Sequence, residues 1–295
     1  MKRGLEVFTP LQVAGLRLFM AGIFLSPWVY RYAFGSKSTT AKKQPLIQPI
    51  DYFFLFLTGF VGNAIPAYLF STAGTLIPSG LSGILNAFTP VFTLLVGTLI
   101  FRSPINRNGI FGVLSGIIGA VFLLGPTLLG HKEMSINLSG AFMGLGGSLL
   151  YGYNINLIKT RLSHIPPMAK TAFPFFFMGF CYAFVLYQTD ILSCWPNSNP
   201  WTLPTNSVQE TTQFFHAWKA LGFMAILGII GSAISMILFN YLIEHTTALV
   251  ASTNTFIIPV VAVAWGLFDQ EPIRWNMIVG LLLSLTGVYL VMRKD

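Results

Sequence analysis

The chain has 295 residues, of which 54% are hydrophobic and only 9% charged; its net charge is +8 and its mean hydropathy +0.69. So little polar surface cannot cover a water-soluble domain of this length, and the composition places the chain in a membrane. The basic residues are scattered over the predicted loops rather than gathered on one face among aromatic neighbours, so no nucleic acid is expected as a partner.

A helix needs about 20 apolar residues to cross about 30 Å of hydrocarbon. Runs such as FGVLSGIIGAVFLLG lack the alternation of a barrel strand, so the expected class is an all-α integral membrane protein. Nine stretches qualify, near 11–30, 52–73, 80–101, 108–129, 138–158, 169–188, 219–243, 247–268 and 273–292. The first carries Arg17 about seven residues in, the second Asn63, Pro66 and Tyr68, and the third Asn86, Phe88, Thr89 and Pro90. The fourth and fifth hold Gly112-x-x-x-Gly116 and Gly140-x-x-x-Gly144, spacings that let helices approach closely in lipid. The fifth also holds Tyr151, Tyr153, Asn154 and Asn156, and the sixth Pro174 and Cys181. Residues 190–217, rich in Pro, Asn and Ser and including Cys194, read as an outer loop, and no disulfide is expected. The seventh span holds Asn240, with Glu244 and His245 at its end; the eighth holds Asn254, Thr255, Pro259 and Trp265.

The chain repeats itself. Residues 60–125 can be laid over 229–293: at an offset of 169, Gly62 meets Gly231, Ala64 meets Ala233, Phe70 meets Phe239 and Pro90 meets Pro259. After a one-residue slip the offset is 168, and Gly112 meets Gly280 and Gly119 meets Gly287. At the front an offset of 157 pairs Lys2 with Lys159, Pro10 with Pro167 and Gly22 with Gly179. Such a repeat in apolar residues is the mark of a transporter built from two halves. The second half has an apolar helix ahead of Lys159, whereas the first has only Met1 ahead of Lys2. The expectation is a ten-helix plan of two inverted five-helix repeats with the first helix missing and nine helices present; a true nine-helix protein is the alternative. The first repeat is 1–129, an outer connecting loop 130–137, and the second repeat 138–295.

With a cytoplasmic carboxyl terminus, Arg31, Lys37, Lys42, Lys43, Arg102, Arg107, Lys159, Arg161, Lys170, Arg293 and Lys294 lie inside. Only Lys2, Arg3, Lys132, Lys219 and Arg274 lie outside, which sets the orientation. Five helices per repeat force the halves into opposite orientations.

Three stretches carry a resemblance: AGLRLFMAG (14–22) followed by SPWVYR, the run LSGILNAFTPVFTLLVGTLIFRSPINRNGIFGVLSGIIGAVFLL, and its partner ALVASTNTFIIPVVAVAWGLFDQEPIRWNMIVGLLLSLTGVYLV. Each run has a proline in mid-helix and later a G-x-x-x-x-x-x-G; the helix-end acidic residue is Glu271 in the second but Arg102 or Ser103 in the first. Over nearly the whole chain this resembles the EamA modules of the drug/metabolite transporter superfamily. The resemblance implies two five-helix repeats that move small metabolites, often amino acids or related compounds, usually outward across the bacterial inner membrane.

A solute path must come from polar groups inside the spans. A buried Arg17 costs about 2.5–3.5 kcal/mol on insertion scales unless something pairs with it, and a substrate carboxylate or phosphate is its natural partner. Snorkelling or capping of neighbouring carbonyls is the structural alternative. Pro90 and Pro259 each remove a backbone donor and free a carbonyl one turn earlier. The candidate substrate-binding residues are therefore Arg17, Asn63, Tyr68, Asn86, Pro90, Tyr151, Asn154, Asn240, Asn254, Thr255 and Pro259. Asn154 and Asn156 cannot share a helix face, since two residues turn a helix by about 200°; Asn154, in a stripe with Tyr151, is assigned to the cavity and Asn156 to a helix contact. Phe88 and Trp265 are aromatic candidates more readily explained by packing. No carboxylate falls in mid-span, and Glu244 is the nearest candidate for proton coupling, against its reading as a solvated helix end.

Histidines 131, 164, 216 and 245 form no HExxH and no second metal ligand at the right spacing, and neither a G-x-S-x-G elbow nor a phosphate-binding loop is present. No enzyme chemistry, cofactor or metal is expected. The sequence predicts export or facilitated diffusion of a small metabolite by alternating access, with the lipid bilayer and a small-molecule substrate as partners and a homodimer allowed. The alternatives are a membrane-embedded enzyme or accessory scaffold subunit, and a nonfunctional fragment.

Overall fold

The computed structural model describes residues 2–34, 47–104, 107–128, 136–189, 191, 208–246, 261, 264 and 275–292. Every regular element among them is helical: α1 (Lys2–Leu5), α2 (Pro10–Phe34), α3 (Pro49–Gly59), a π-helical turn π1 (Phe60–Ala64), α4 (Ile65–Leu76), α5 (Ser79–Asn86) and α6 (Thr89–Leu99). There follow α7 (Arg107–Leu128), α8 (Leu138–Arg161), α9 (Pro167–Gln188), α10 (Val208–Gly228), a second π turn π2 (Ile229–Ile234), α11 (Ser235–His245) and α12 (Trp275–Met292). Among the described residues, five stretches are long and apolar enough to cross a membrane: Pro10–Ala33, Pro49–Leu76, Ser79–Leu99, Pro167–Gln188 and His216–His245. The predicted spans 108–129, 138–158 and 273–292 fall on α7, α8 and α12, while 247–268 lies outside the described residues apart from Val261 and Ala264.

Local chemistry sets the helix starts. Thr9 donates its backbone N–H to Gln12 Oε1 (3.0 Å) and accepts from the Gln12 N–H at Oγ1 (3.3 Å), a reciprocal cap for α2. At α3, Gln48 donates its N–H to Asp51 Oδ2 (2.8 Å), with Pro49 in the first turn. Asn137 caps α8 by accepting from the Gly140 N–H at 3.0 Å. Arg102, at φ 54°, takes the left-handed conformation just beyond α6, where Ser103 donates back to Gly97.

The chain divides into two compact units, Met1–Ala64 with His164–Tyr241, and Ile65–Ser163 with Leu242–Asp295. Each takes helices from both halves of the sequence.

In the first unit α2 packs along α9. Gln12, Gly15, Leu18 and Gly22 meet Thr189, Leu186, Gly179 and Phe175 in that order, so the two helices run antiparallel. A methyl group placed on Gly22 would lie 2.7 Å from the Phe175 carbonyl oxygen, and one on Gly179 would lie 3.1 Å from that of Leu18. Leu18 and Phe175 are 157 residues apart, the offset that pairs Gly22 with Gly179, so the contact is reciprocal. The same holds one layer out. A methyl on Gly59 would meet the Pro174 carbonyl oxygen at 2.9 Å, and one on Gly228 that of Arg17 at 2.8 Å. Gly59 and Gly228 are 169 apart, Arg17 and Pro174 157 apart. Repeat-equivalent residues thus make equivalent contacts in both layers.

In the second unit α7 and α12 also run antiparallel, Gly112, Ser115 and Phe122 meeting Gly287, Leu283 and Trp275 in descending order. Ser115 Oγ donates to the carbonyl of Leu283, its own repeat equivalent, at 3.0 Å. The helices α4, α5 and α6 pack against α8, whose glycines admit them: a methyl on Gly147 would meet Phe70 at 2.6 Å, and one on Gly152 the Thr93 nitrogen at 2.7 Å. Without a hydrophobic drive between helices in lipid, such close backbone contact supplies the packing energy.

One expectation about prolines is corrected. Pro90 is not in mid-helix: α5 ends at Asn86, Ala87 and Phe88 form a turn, and Pro90 sits in the first turn of α6, where its missing donor costs nothing. Pro66 directly follows the π turn, at the start of α4.

Candidate functional site

The two π turns fall at repeat-equivalent positions, Phe60–Ala64 and Ile229–Ile234. A π turn widens the helix and leaves a carbonyl without its usual amide partner. In π1 Asn63 donates its side-chain amide to the Thr58 carbonyl (3.4 Å), and in π2 Ser232 donates its hydroxyl to the Leu227 carbonyl (3.0 Å). Asn63 and Ser232 are 169 apart, as are Thr58 and Leu227. Ser235 Oγ further donates to the Ile230 carbonyl (2.8 Å), and Tyr182 donates from α9 to the Ala64 carbonyl (3.4 Å).

Arg17 projects from α2 onto π2 and donates through Nε to Ser232 Oγ at 2.5 Å. It is half-buried, and among the described residues it pairs with no carboxylate. Asn240 is fully buried in the same unit, its amide donating to Thr171 Oγ1 at 2.9 Å while Oδ1 has no partner among the described residues. It lies eight residues past Ser232, about 12 Å along the helix, and does not join the Arg17 group.

The second unit holds the other candidates. The carbonyl that Pro90 leaves free, that of Asn86, is taken by Thr89 Oγ1 at 2.7 Å, and Ser148 Oγ takes the Leu85 carbonyl at 2.9 Å. The Asn86 carbonyl, expected as an open binding group, is therefore capped within the protein. Pro90 is buried and Asn86 half-buried. Asn156 donates to the carbonyls of Thr93 (2.8 Å) and Gly152 (2.9 Å), which makes it the helix contact the spacing predicts. Asn154 is 2% exposed, and its Oδ1 has no partner among the described residues. A buried acceptor left unpaired costs about 1–3 kcal/mol, so it marks a place for a water or solute donor. Tyr151 stacks on Phe70, ring centroids 5.7 Å apart, and Tyr68 is 40% exposed. Phe88 is buried, in keeping with packing. Glu244 is exposed at the end of α11, where Lys159 caps the helix by donating to the carbonyls of Ile243 (2.7 Å) and Thr246. Asn254, Thr255, Pro259 and Trp265 lie outside the described residues.

Sequence reasoning missed Ser232, Ser148, Thr93 and Thr171. Ser232 was within reach, being the repeat equivalent of Asn63; the others are common hydroxyl residues with no signal beyond their span. Among the described residues no group of three His, Cys, Asp or Glu side chains could hold a metal.

The profile of the EamA-like transporter family matches residues 1–125 and 138–293. The chain belongs to this family. Its relatives include YoaV of Bacillus subtilis, named an uncharacterized transporter, which is 22% identical over 98% of this chain and 89% of its own length. Uncharacterized transporters of Synechocystis sp. and Archaeoglobus fulgidus are 25% and 20% identical, covering 100% and 99% of this chain and 85% and 92% of their own. A solved crystal structure has the same fold, with a TM-score of 0.57 at 14% identity over 97% of this chain and 88% of the other. The family, its transporter-named relatives and the apolar helices make this a multi-pass membrane protein and a transporter.

Proposed function

We propose that this transporter moves a small polar metabolite, an amino acid or related compound, across the bacterial inner membrane by export or facilitated diffusion. It works by alternating access between two inverted five-helix repeats, with the carboxyl terminus in the cytoplasm. The observation that carries the reading is the reciprocal packing in the first unit, where Gly59 on Pro174 repeats Gly228 on Arg17 between antiparallel helices. On this reading the two copies of one motif exchange roles between inward- and outward-facing arrangements, which is what alternating access needs. The π turns add a support, since helices are irregular at membrane depth only where protein or a cavity re-satisfies the backbone. The candidate solute-binding residues are Arg17, Asn63 and Asn240 in the first unit and Tyr68, Asn86, Tyr151 and Asn154 in the second, with Asn254, Thr255 and Pro259 retained from the sequence.

The test is metabolite profiling of the medium from cells expressing the protein, an empty vector, or the Arg17→Ala and Asn254→Ala variants. A compound that accumulates outside only with the intact protein, and no longer with a variant that still reaches the membrane, is the expected result. No change in any compound outside, together with no change in uptake, overturns transport of small metabolites.

A further inference from the structure

The two π turns invite a comparison that singles out Arg17. In each, a polar side chain five residues on takes the free carbonyl, and the front helix of the other repeat presses its backbone on the glycine before the turn. Pro174 does so on Gly59 and Arg17 on Gly228, their carbonyl oxygens 2.9 and 2.8 Å from where a methyl carbon on each glycine would lie. The sister position does all this with proline. A cation is therefore not needed to build the motif, although one costs up to about 2.5–3.5 kcal/mol at the centre of a membrane helix. Packing thus leaves the charge of Arg17 unexplained.

The geometry of Arg17 restricts what could use that charge. Ser232 engages Nε at 2.5 Å while giving its own proton to the Leu227 carbonyl at 3.0 Å, so the hydroxyl is fixed in direction and pins one edge of the guanidinium. The two terminal nitrogens have no partner among the described residues. They form a planar pair of donors whose spacing fits the two oxygens of a carboxylate. One guanidinium neutralises one carboxylate, whereas a phosphate, at about −1.5 to −2, would leave charge uncompensated in hydrocarbon. Lys170, the buried cation among the described residues of this unit, lies further along α2, on the order of 15 Å from Arg17, and cannot supply the difference.

We infer that Arg17 and Ser232 form a recognition site for a carboxylate-bearing solute, Arg17 binding the carboxylate and Ser232 acting as the positioning residue that presents it. This rests on the transport reading above and gives its substrate class.

The test is thermal unfolding of the full chain in detergent against matched probes at millimolar concentration: acetate, L-alanine, L-phenylalanine, the amide and amine analogues of each, and inorganic phosphate. At least one carboxylate should raise the midpoint while its amide and amine do not. Arg17→Gln should abolish the response, and Arg17→Lys should not restore it, since an ammonium lacks paired donors. Ser232→Ala should weaken the apparent affinity about tenfold, the loss of one hydrogen bond to a charged group, and Ser232→Thr should recover it. Variants are compared only as monodisperse species, and Ser232→Ala carries the test if Arg17→Gln fails to fold. Equal responses to carboxylate and amide, a stronger response to phosphate, an undiminished response in Arg17→Gln or Ser232→Ala, or no response to any carboxylate overturns the inference. A cargo lacking a carboxylate in the medium assay also overturns it and leaves the transport reading standing; absence of any cargo overturns transport while carboxylate binding is still read in detergent.

Discussion

Asparagines two positions apart on α8 have opposite roles. Asn156 ties α8 to α6 through the Thr93 carbonyl and also donates to Gly152 of its own helix, so Asn156→Ala should lower stability by about 1–3 kcal/mol, read as an earlier thermal transition of the detergent-solubilised protein. Asn154 carries a buried acceptor with no partner, so Asn154→Leu should leave the transition unchanged or raise it. Its place in the solute path is a separate question, checked by flux of the profiled cargo: a loss without destabilisation puts Asn154 there, and unchanged flux removes it. The 200° between the two positions was legible in the sequence. That Asn156 would find the Thr93 carbonyl was not, because the partner lies 63 residues away.

At the scale of helices, the predicted span positions agree with the described elements because apolar length is a local property. The interruptions were harder to foresee. Pro90 marks a break in the right place, but Thr89 supplies the donor that the proline lacks, so the break is closed rather than open. The π turn at Ile229–Ile234 has no proline to announce it and was visible only through its repeat equivalent, ahead of Pro66. Reciprocal packing makes a sharp prediction here. Gly59→Ala and Gly228→Ala press on equivalent carbonyls at nearly equal distances, so each should destabilise by about 1–3 kcal/mol, and by similar amounts. Gly222 has nothing within 4 Å of an added methyl, so Gly222→Ala should be neutral or stabilise by up to about 1 kcal/mol. A large difference between the first two variants in thermal unfolding would mean that the two contacts are not equivalent.

For the whole molecule, the distribution of eleven predicted inner and five outer basic residues argues for a cytoplasmic carboxyl terminus. Fusion of a reporter that fluoresces only in the cytoplasm after Asp295 should give signal, and fusion of a periplasmic phosphatase should not; the reverse pattern inverts the assigned orientation. The sequence by itself determined the all-helical membrane class, the repeat and its offsets, and the family, because each depends on composition and spacing along the chain. Only the tertiary structure decided which residues of the two halves meet. It placed Gly22 on Gly179 and Ser115 on Leu283, split the chain into units that mix the halves, capped the proline carbonyl and gave Arg17 its serine. Those are contacts between residues as far as 215 positions apart, selected by close backbone approach and by the need to satisfy every polar group in hydrocarbon, and neither requirement leaves a periodic trace in a single chain.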